Sequence, residues 1–519
     1  MPYRNRKSSY NNFILIFVFV KLALNALAIA RFGFQRDELL HLTLGDHLDW
    51  GYKEVPPFIA VVARLSTLLF GNSVAAARIF TTLCSALIVW LTGKIVVEFG
   101  GKKFAIALAC LAVLFAPSFV ATGYLLQPVV FDQFWWVLTV WLLLKHINTN
   151  AVKYLYFMGL AIGIGLLTKY TMVFFAGALI ISMLITKQRR LLWSRHVLGA
   201  AIIAFAIALP NIIWQFRHHL PVITHMATLK KQQLEYIKPA DFIIQQLLSN
   251  GVSLFIWLTG FLFLLFSFKL RKFQFLAFAY VLIFVFLLEM SGKNYYLFGA
   301  YPMLFAAGGF GFERWIKSNY VMRAVVLLLF TVPNLIMLPA VLPVLPLKPT
   351  LAMFDFINKH THFIKFMTVW EDQKHHATTQ DYGDMFGWEE LTKKVATTYN
   401  KLTPEQQQHT IIYADNYGLA GALHHYGGPY NLPEAVCLNS SFSLWAPDSL
   451  SAQYVIYINA TRYFDAPVAF HDMVESSSMT DSITNPYAVE KGTTILLFTH
   501  PKPAFFARYK QRLSAVRSE

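Results

Sequence analysis

The sequence predicts a polytopic α-helical membrane protein that ends in a small α/β domain outside the bilayer. Three observations lead there. Of 519 residues, 56% are hydrophobic and only 14% charged, whereas a soluble globular chain carries roughly 25% charged residues. Apolar runs suited to a hydrocarbon core about 30 Å thick recur from Phe13 to Leu345. Beyond residue 349 this pattern gives way to short alternating runs. A soluble multi-domain enzyme is thereby excluded. The net charge of +16 divides unevenly: residues 1–349 hold 31 basic and 11 acidic side chains, and 350–519 hold 13 and 17. A basic membrane part with a slightly acidic tail fits loop anchoring and phosphate handling, not nucleic-acid binding.

About eleven apolar runs are expected to span, near 13–30, 76–97, 104–122, 129–147, 154–168, 170–185, 197–216, 247–267, 275–290, 295–312 and 321–343. Placing the N-terminus in the cytoplasm gathers Arg4, Arg6, Lys7, Lys102, Lys103, Lys187, Arg189, Arg190, Lys269 and Arg271 on one side, as the distribution of Lys and Arg in short loops requires. The outer face then receives 31–75, 217–246, 291–294 and the tail. The N-terminal run resembles a cleavable signal peptide, but its removal would detach the following loop from its anchor, so it is read as retained. In the tail, Thr410–Ala414, Tyr454–Ile458 and Thr493–Phe498 alternate as strands do, with a helix over Trp388–Tyr399 between them. The domains are therefore 1–349, the membrane part with its outer loop 31–75, and 350–519, the tail. Cys84, Cys110 and Cys437 form no metal-type cluster, and the tail's single cysteine allows no disulfide within it.

The strongest local signal lies in the first outer loop, where five of the eleven acidic residues before position 350 fall within eighteen positions: Asp37, Glu38, Asp46, Asp49 and Glu54. Asp46 and Asp49 read as solvated loop polarity. Asp37 and Glu38 stand where the first span leaves the bilayer. Glu54 precedes Pro56-Pro57, which stiffens the chain before an amphipathic stretch, Phe58–Phe70, suited to the membrane interface. Carboxylates at such a surface can deprotonate an acceptor or hold a divalent cation.

Phe34-Gln35-Arg36-Asp37-Glu38-Leu39, Gly51-Tyr52-Lys53-Glu54-Val55-Pro56-Pro57-Phe58, Leu69-Phe70-Gly71-Asn72-Ser73 and Arg78 resemble the opening of the polyprenyl-phosphate-sugar-dependent glycosyltransferases of the GT-C membrane fold. That superfamily includes protein O-mannosyltransferases (family 39) and bacterial lipid A aminoarabinose transferases. The resemblance implies that Asp37 is the catalytic base and that Glu54 lies at the active site near a divalent metal ion. Val55 departs from relatives that carry Lys or His there.

Charges at membrane depth are functional candidates by default. Lys169, in Leu166-Leu167-Thr168-Lys169-Tyr170, matches the family's Lys-Tyr signature and either meets a lipid phosphate or snorkels to the interface. Lys293, followed by Tyr295, Tyr296 and then Tyr301-Pro302, matches its Lys-x-x-Tyr and Tyr-Pro segment. The tyrosines offer hydroxyls to phosphate or sugar, or form an aromatic belt. Arg217, after Pro210-Asn211-Ile212-Ile213-Trp214, presents a planar fork to phosphate oxygens or caps a helix end. Asp132 matches an intramembrane Asp of relatives and serves structure or catalysis. Asp381–Glu389, Asn416–Ala422 and Trp445-Ala446-Pro447 resemble the periplasmic domain of bacterial members, with glycine turns that bind anions or pack.

The expected activity is inverting transfer of a sugar from a polyprenyl-phosphate donor to a hydroxyl acceptor (lipid, glycan or protein) on the outer face of a bacterial inner membrane. Alternatives are a secondary transporter, whose repeated halves with broken helices have no counterpart here, and a membrane ligase or polymerase moving whole glycans.

Overall fold

The computed structural model describes residues 2–232, 238–361, 365–460 and 470–518. Among them, six helices are long and apolar enough to cross a membrane: Ser9–Ala28, Val74–Phe99, Pro128–Thr149, Arg195–Arg217, Arg271–Glu289 and Tyr320–Val341. Pro239–Leu248 and Gly251–Phe266, bent by 99°, make a seventh if taken together. The eleven apolar runs therefore do not all become full-length spans. The run at 104–122 stops at Phe115 and resumes as Pro117–Ala121, because a proline is accommodated at a helix start and not within one. The runs at 154–168 and 170–185 are separate short helices parted by Lys169, whose backbone is extended. The run at 295–312 opens with a 3₁₀ turn, Asn294–Ala300, before its helix begins at Tyr301.

Small residues let helices approach closely in the membrane part. On the helix Lys153–Thr168, Gly159 faces the backbone of Ala200 on Arg195–Arg217. The helices Leu254–Phe266 and Tyr301–Ile316 meet still more tightly. A Cβ on Gly260 would lie 1.9 Å from the Leu304 carbonyl oxygen, and one on Gly308 would lie 2.0 Å from that of Ile256. Pro333 and Pro339 sit inside Tyr320–Val341. Nearby, the Asn334 amide accepts from the Val252 backbone and donates to Ser253, at 3.1 and 3.0 Å.

The tail is a five-stranded mixed sheet in the order β2-β1-β3-β5-β4. Its strands are β1 (Thr410–Ala414), β2 (Ala435–Val436), β3 (Tyr454–Asn459), β4 (Val474–Ser482) and β5 (Thr494–Pro501). β2, β1 and β3 run parallel, and β5 is antiparallel to both β3 and β4. The alternation read in the sequence sends Ile412, Ala414, Ile456 and Ile458 to one face and Tyr413, Val455 and Tyr457 to the other. The first face lies under α1 (Trp388–Asn400) and α2 (Tyr417–Tyr426) and shares one apolar core with the membrane part. The second is covered by α3 (Pro503–Ser518) through Phe505, Tyr509 and Leu513.

Because carbonyl oxygens occupy the space any side chain at Gly308 would need, Gly308→Val should destabilise the protein by roughly 1–3 kcal/mol or more. Thermal unfolding in detergent checks this; an unchanged midpoint would contradict the close crossing.

Candidate active site

The outer loop is organised from its helix N-terminus. The Gln35 side chain accepts from the Asp37 backbone at 2.8 Å, and the Glu38 carboxylate reaches back to the Gln35 N–H at 2.9 Å. This capping box starts the helix Arg36–Asp46. Glu38 is wholly buried and doubly paired with the equally buried Arg78, Nε to Oε1 at 2.8 Å and Nη2 to Oε2 at 2.6 Å. It also accepts from the Leu126 N–H at 2.8 Å. Arg78 spends its remaining donors on the Ile29 and Gly33 carbonyls. Glu38, read from sequence as a catalytic carboxylate, thus has both oxygens committed to structural partners. A buried charge needs such partners to exist at all.

One position earlier, Asp37 is half-buried. Its Oδ1 accepts from the Tyr417 hydroxyl of the tail at 2.7 Å, and its Oδ2 is 3.5 Å from the Gln127 amide. Lys293 lies in the field of Asp37 and Glu371, although burial still lowers its pKa. Lys169 packs over the rings of Tyr295 and Tyr296, at 4.6 and 4.5 Å from their centroids, and Lys293 stands 6.0 Å from that of Tyr295. Lys169 also feels Lys293 and Asp132. Asp132 itself is held by Trp136 at 3.0 Å and Thr171 at 2.8 Å. The structure therefore brings Asp37, Lys169, Lys293, Tyr295 and Tyr296 near one another where the membrane part meets the tail.

Two predicted residues lie elsewhere. Tyr301 is fully buried in the helix core, with its hydroxyl donated to Gln246 at 2.7 Å. Arg217 is exposed at the last turn of Arg195–Arg217, with no ion pair or ring contact among the described residues. Glu54 meets the tail instead of a metal: both its oxygens accept from Ser441, one from the backbone and one from the hydroxyl. Among the described residues no group of three His, Cys, Asp or Glu side chains converges as a metal site. A divalent ion at Glu54 does not fit this donor set, and no step is routed through one.

Sequence reasoning missed several tertiary contacts around Asp37 and its loop. Asp46 is exposed, as its reading as loop polarity expects, and it also binds Arg64 at 2.7 Å and His424 of the tail at 3.0 Å. Asp49 accepts from the Trp214 indole at 2.8 Å, beside an Asn211 to Trp50 hydrogen bond of 2.7 Å. Asp381 lies open to solvent, yet surrounding protein first, then Asp37 and Glu371, push its pKa up to about 6. Tyr417 and Asp381 both fall in segments the sequence marked, Asn416–Ala422 and Asp381–Glu389, but both meet Asp37, which lies far away in sequence, 380 positions from Tyr417.

Removing one partner of the Glu38–Arg78 pair should be severe. Arg78→Met is expected to cost roughly 3–5 kcal/mol by stranding the carboxylate, read as a large fall in the unfolding midpoint in detergent. A midpoint within a degree or two of wild type would contradict this account of the pair.

Residues 54–214 match the family described as dolichyl-phosphate-mannose-protein mannosyltransferase. Lipid A galacturonosyltransferase RgtD of Rhizobium johnstonii is 28% identical over 195 residues, which are 36% of this chain and 40% of that protein; the chain thus spans less than half of this relative. Crystal structures of ArnT from Cupriavidus metallidurans share the fold. The apo form has TM-score 0.62 at 14% identity, covering 93% of this chain and 98% of that one. The form bound to undecaprenyl phosphate has TM-score 0.61 with the same identity and coverage. An Archaeoglobus fulgidus oligosaccharyltransferase, crystallised with Zn and sulfate, matches more distantly, with TM-score 0.52 at 12% identity over 87% of this chain and 68% of its own. The chain thus shares the ArnT fold over 93% of its length, and its residues 54–214 match the mannosyltransferase family model.

Proposed function

We propose that the protein transfers a sugar from a polyprenyl-phosphate carrier to a hydroxyl acceptor, with inversion at the anomeric carbon. The observation that supports this most is the half-buried carboxylate of Asp37 close to two cations, Lys169 and Lys293. Asp37 takes the acceptor's proton as its oxygen bonds to the anomeric carbon. The bond from that carbon to the phosphate oxygen breaks in the same step, and the polyprenyl phosphate leaves with the electron pair. Lys169 and Lys293 stabilise the phosphate's charge where water is largely excluded and such an interaction is strong. The Lys169 ammonium stands against both the Tyr295 and Tyr296 rings. Glu38 and Glu54 position the loop, while Arg217 and Tyr301 are not needed in the reacting set.

The distribution of Lys and Arg supports an outer-face site in a bacterial inner membrane. The undecaprenyl phosphate bound to ArnT supports a lipid-phosphate donor, and the lipid A named for the Rhizobium relative supports a lipid acceptor of that class. The tail then lies on the same side as the site.

General-base assistance contributes about 10²–10⁴-fold, so Asp37→Asn should lower release of polyprenyl phosphate from labelled donor by that factor without loss of folding. Wild-type turnover in this variant would remove Asp37 from the chemistry. Lys293→Ala should impair donor use more than acceptor use, seen as a changed kcat or KM for the donor with a constant acceptor KM. An unchanged donor response would contradict contact with the phosphate.

A further inference from the structure

The carboxylate of Asp37 is held by a residue 380 positions away in the tail, and the fold has arranged that meeting with care. Tyr417 begins α2 just beyond the carboxyl end of β1. Its backbone N–H donates to the Asn439 side chain at 3.3 Å, and Asn416 caps the helix by accepting from the Leu419 N–H at 3.0 Å. Asp415, between strand and cap, is tied by the Tyr457 hydroxyl at 2.6 Å and the Ala460 N–H at 3.1 Å. The phenol therefore projects from a fixed platform. Gly418 lets that platform approach: a Cβ there would come within 2.6 Å of the Arg36 Cγ. The Arg36 guanidinium in turn stands 5.5 Å over the Tyr417 ring.

The two oxygens of Asp37 are consequently unequal. Oδ1 accepts a short hydrogen bond from Tyr417, while among the described residues Oδ2 has only the 3.5 Å approach of Gln127. We propose that Tyr417 is a positioning residue for sugar transfer, its phenol fixing Oδ1 of Asp37 so that Oδ2 is the atom presented to the acceptor hydroxyl. This rests on Asp37 being the base. It also gives the tail a part in the reaction, because the donor to Oδ1 comes from the tail.

A donor to an ionised carboxylate stabilises that form over the protonated one, so a pH profile reads whether the phenol acts on Asp37. The other titratable or charged groups facing Asp37 are Arg36 of its own helix, His41 one turn on, Lys293 and Tyr295 from the membrane part, and Asp381 from the tail. None of them changes when the phenol is removed. The test uses the full-length protein with labelled polyprenyl-phosphate sugar, measuring kcat/KM across pH.

In Tyr417→Phe, kcat should fall roughly tenfold or more, as expected for loss of a hydrogen bond to a charged group. The acid limb of the profile should move to higher pH, with the unfolding midpoint and donor KM little changed. Placing 3-fluorotyrosine at 417, a stronger donor of nearly the same shape, should move the limb to lower pH and keeps the test valid should the phenylalanine variant fold poorly. Acid limbs that coincide with wild type in both proteins would overturn the proposal, including when activity is reduced equally at every pH, since that is what lost packing alone produces. Substantial activity in Asp37→Asn would instead remove the base on which the inference rests, so the two failures are distinguishable.

Discussion

A single buried ion pair underlies the rest of this structure. Glu38 and Arg78 neutralise each other with no exposure to water, and each charge pins a different part of the chain. Through Glu38 the pair fixes the first turn of the helix Arg36–Asp46 and the backbone at Leu126; through Arg78 it fixes Ile29 and Gly33, where the first span ends. Such a pair is seldom a net gain in stability over apolar packing, because desolvating two ions is costly. What it provides is a unique arrangement. The neighbouring Asp37 inherits that arrangement and cannot drift relative to the membrane part.

The tail fixes the same loop from the other side. Tyr417 meets Asp37, Ser441 meets Glu54, His424 meets Asp46, and the His47 ring stacks on Trp445 at 4.3 Å with an interplanar angle of 8°. Two of these contacts, Tyr417 and Ser441, come from the chain just after the carboxyl ends of the parallel strands β1 and β2. Ligand-binding crevices of α/β sheets are characteristically built at such ends. The acidic loop is thus held between the membrane part and the tail through contacts on both sides.

The fold class was legible because it depends on composition and periodicity, which are local. The strands at 410, 454 and 494 and the helix at 388 could be read from alternation, while β2 and β4, with two residues and a largely polar run respectively, carry too little pattern to be found. Length alone overstated the spans: Pro117 interrupts the run at 104–122, and the runs at 154–168 and 170–185 are helices too short to span. Asp37 stood out through the density of acidic residues in its loop, and Lys169 and Lys293 because a charge at membrane depth is rare. Glu38 was misread through its adjacency to Asp37, although the spacing Gln35-x-x-Glu38 is itself a capping signature. Tyr301 was misread because a motif names a residue without saying which way its ring points. The partners of Asp46, Asp49 and Glu54 were beyond reach, being tertiary contacts across as many as 387 positions.

The account requires that the lipid phosphate come to rest between Lys169 and Lys293, on the side that faces Asp37. A cryo-electron-microscopy map of the protein with bound undecaprenyl phosphate tests this directly. The predicted result is phosphate density within ion-pairing distance of both ammonium groups, with Asp37 facing it. Density for the phosphate elsewhere, with either lysine turned away from it, would contradict the account.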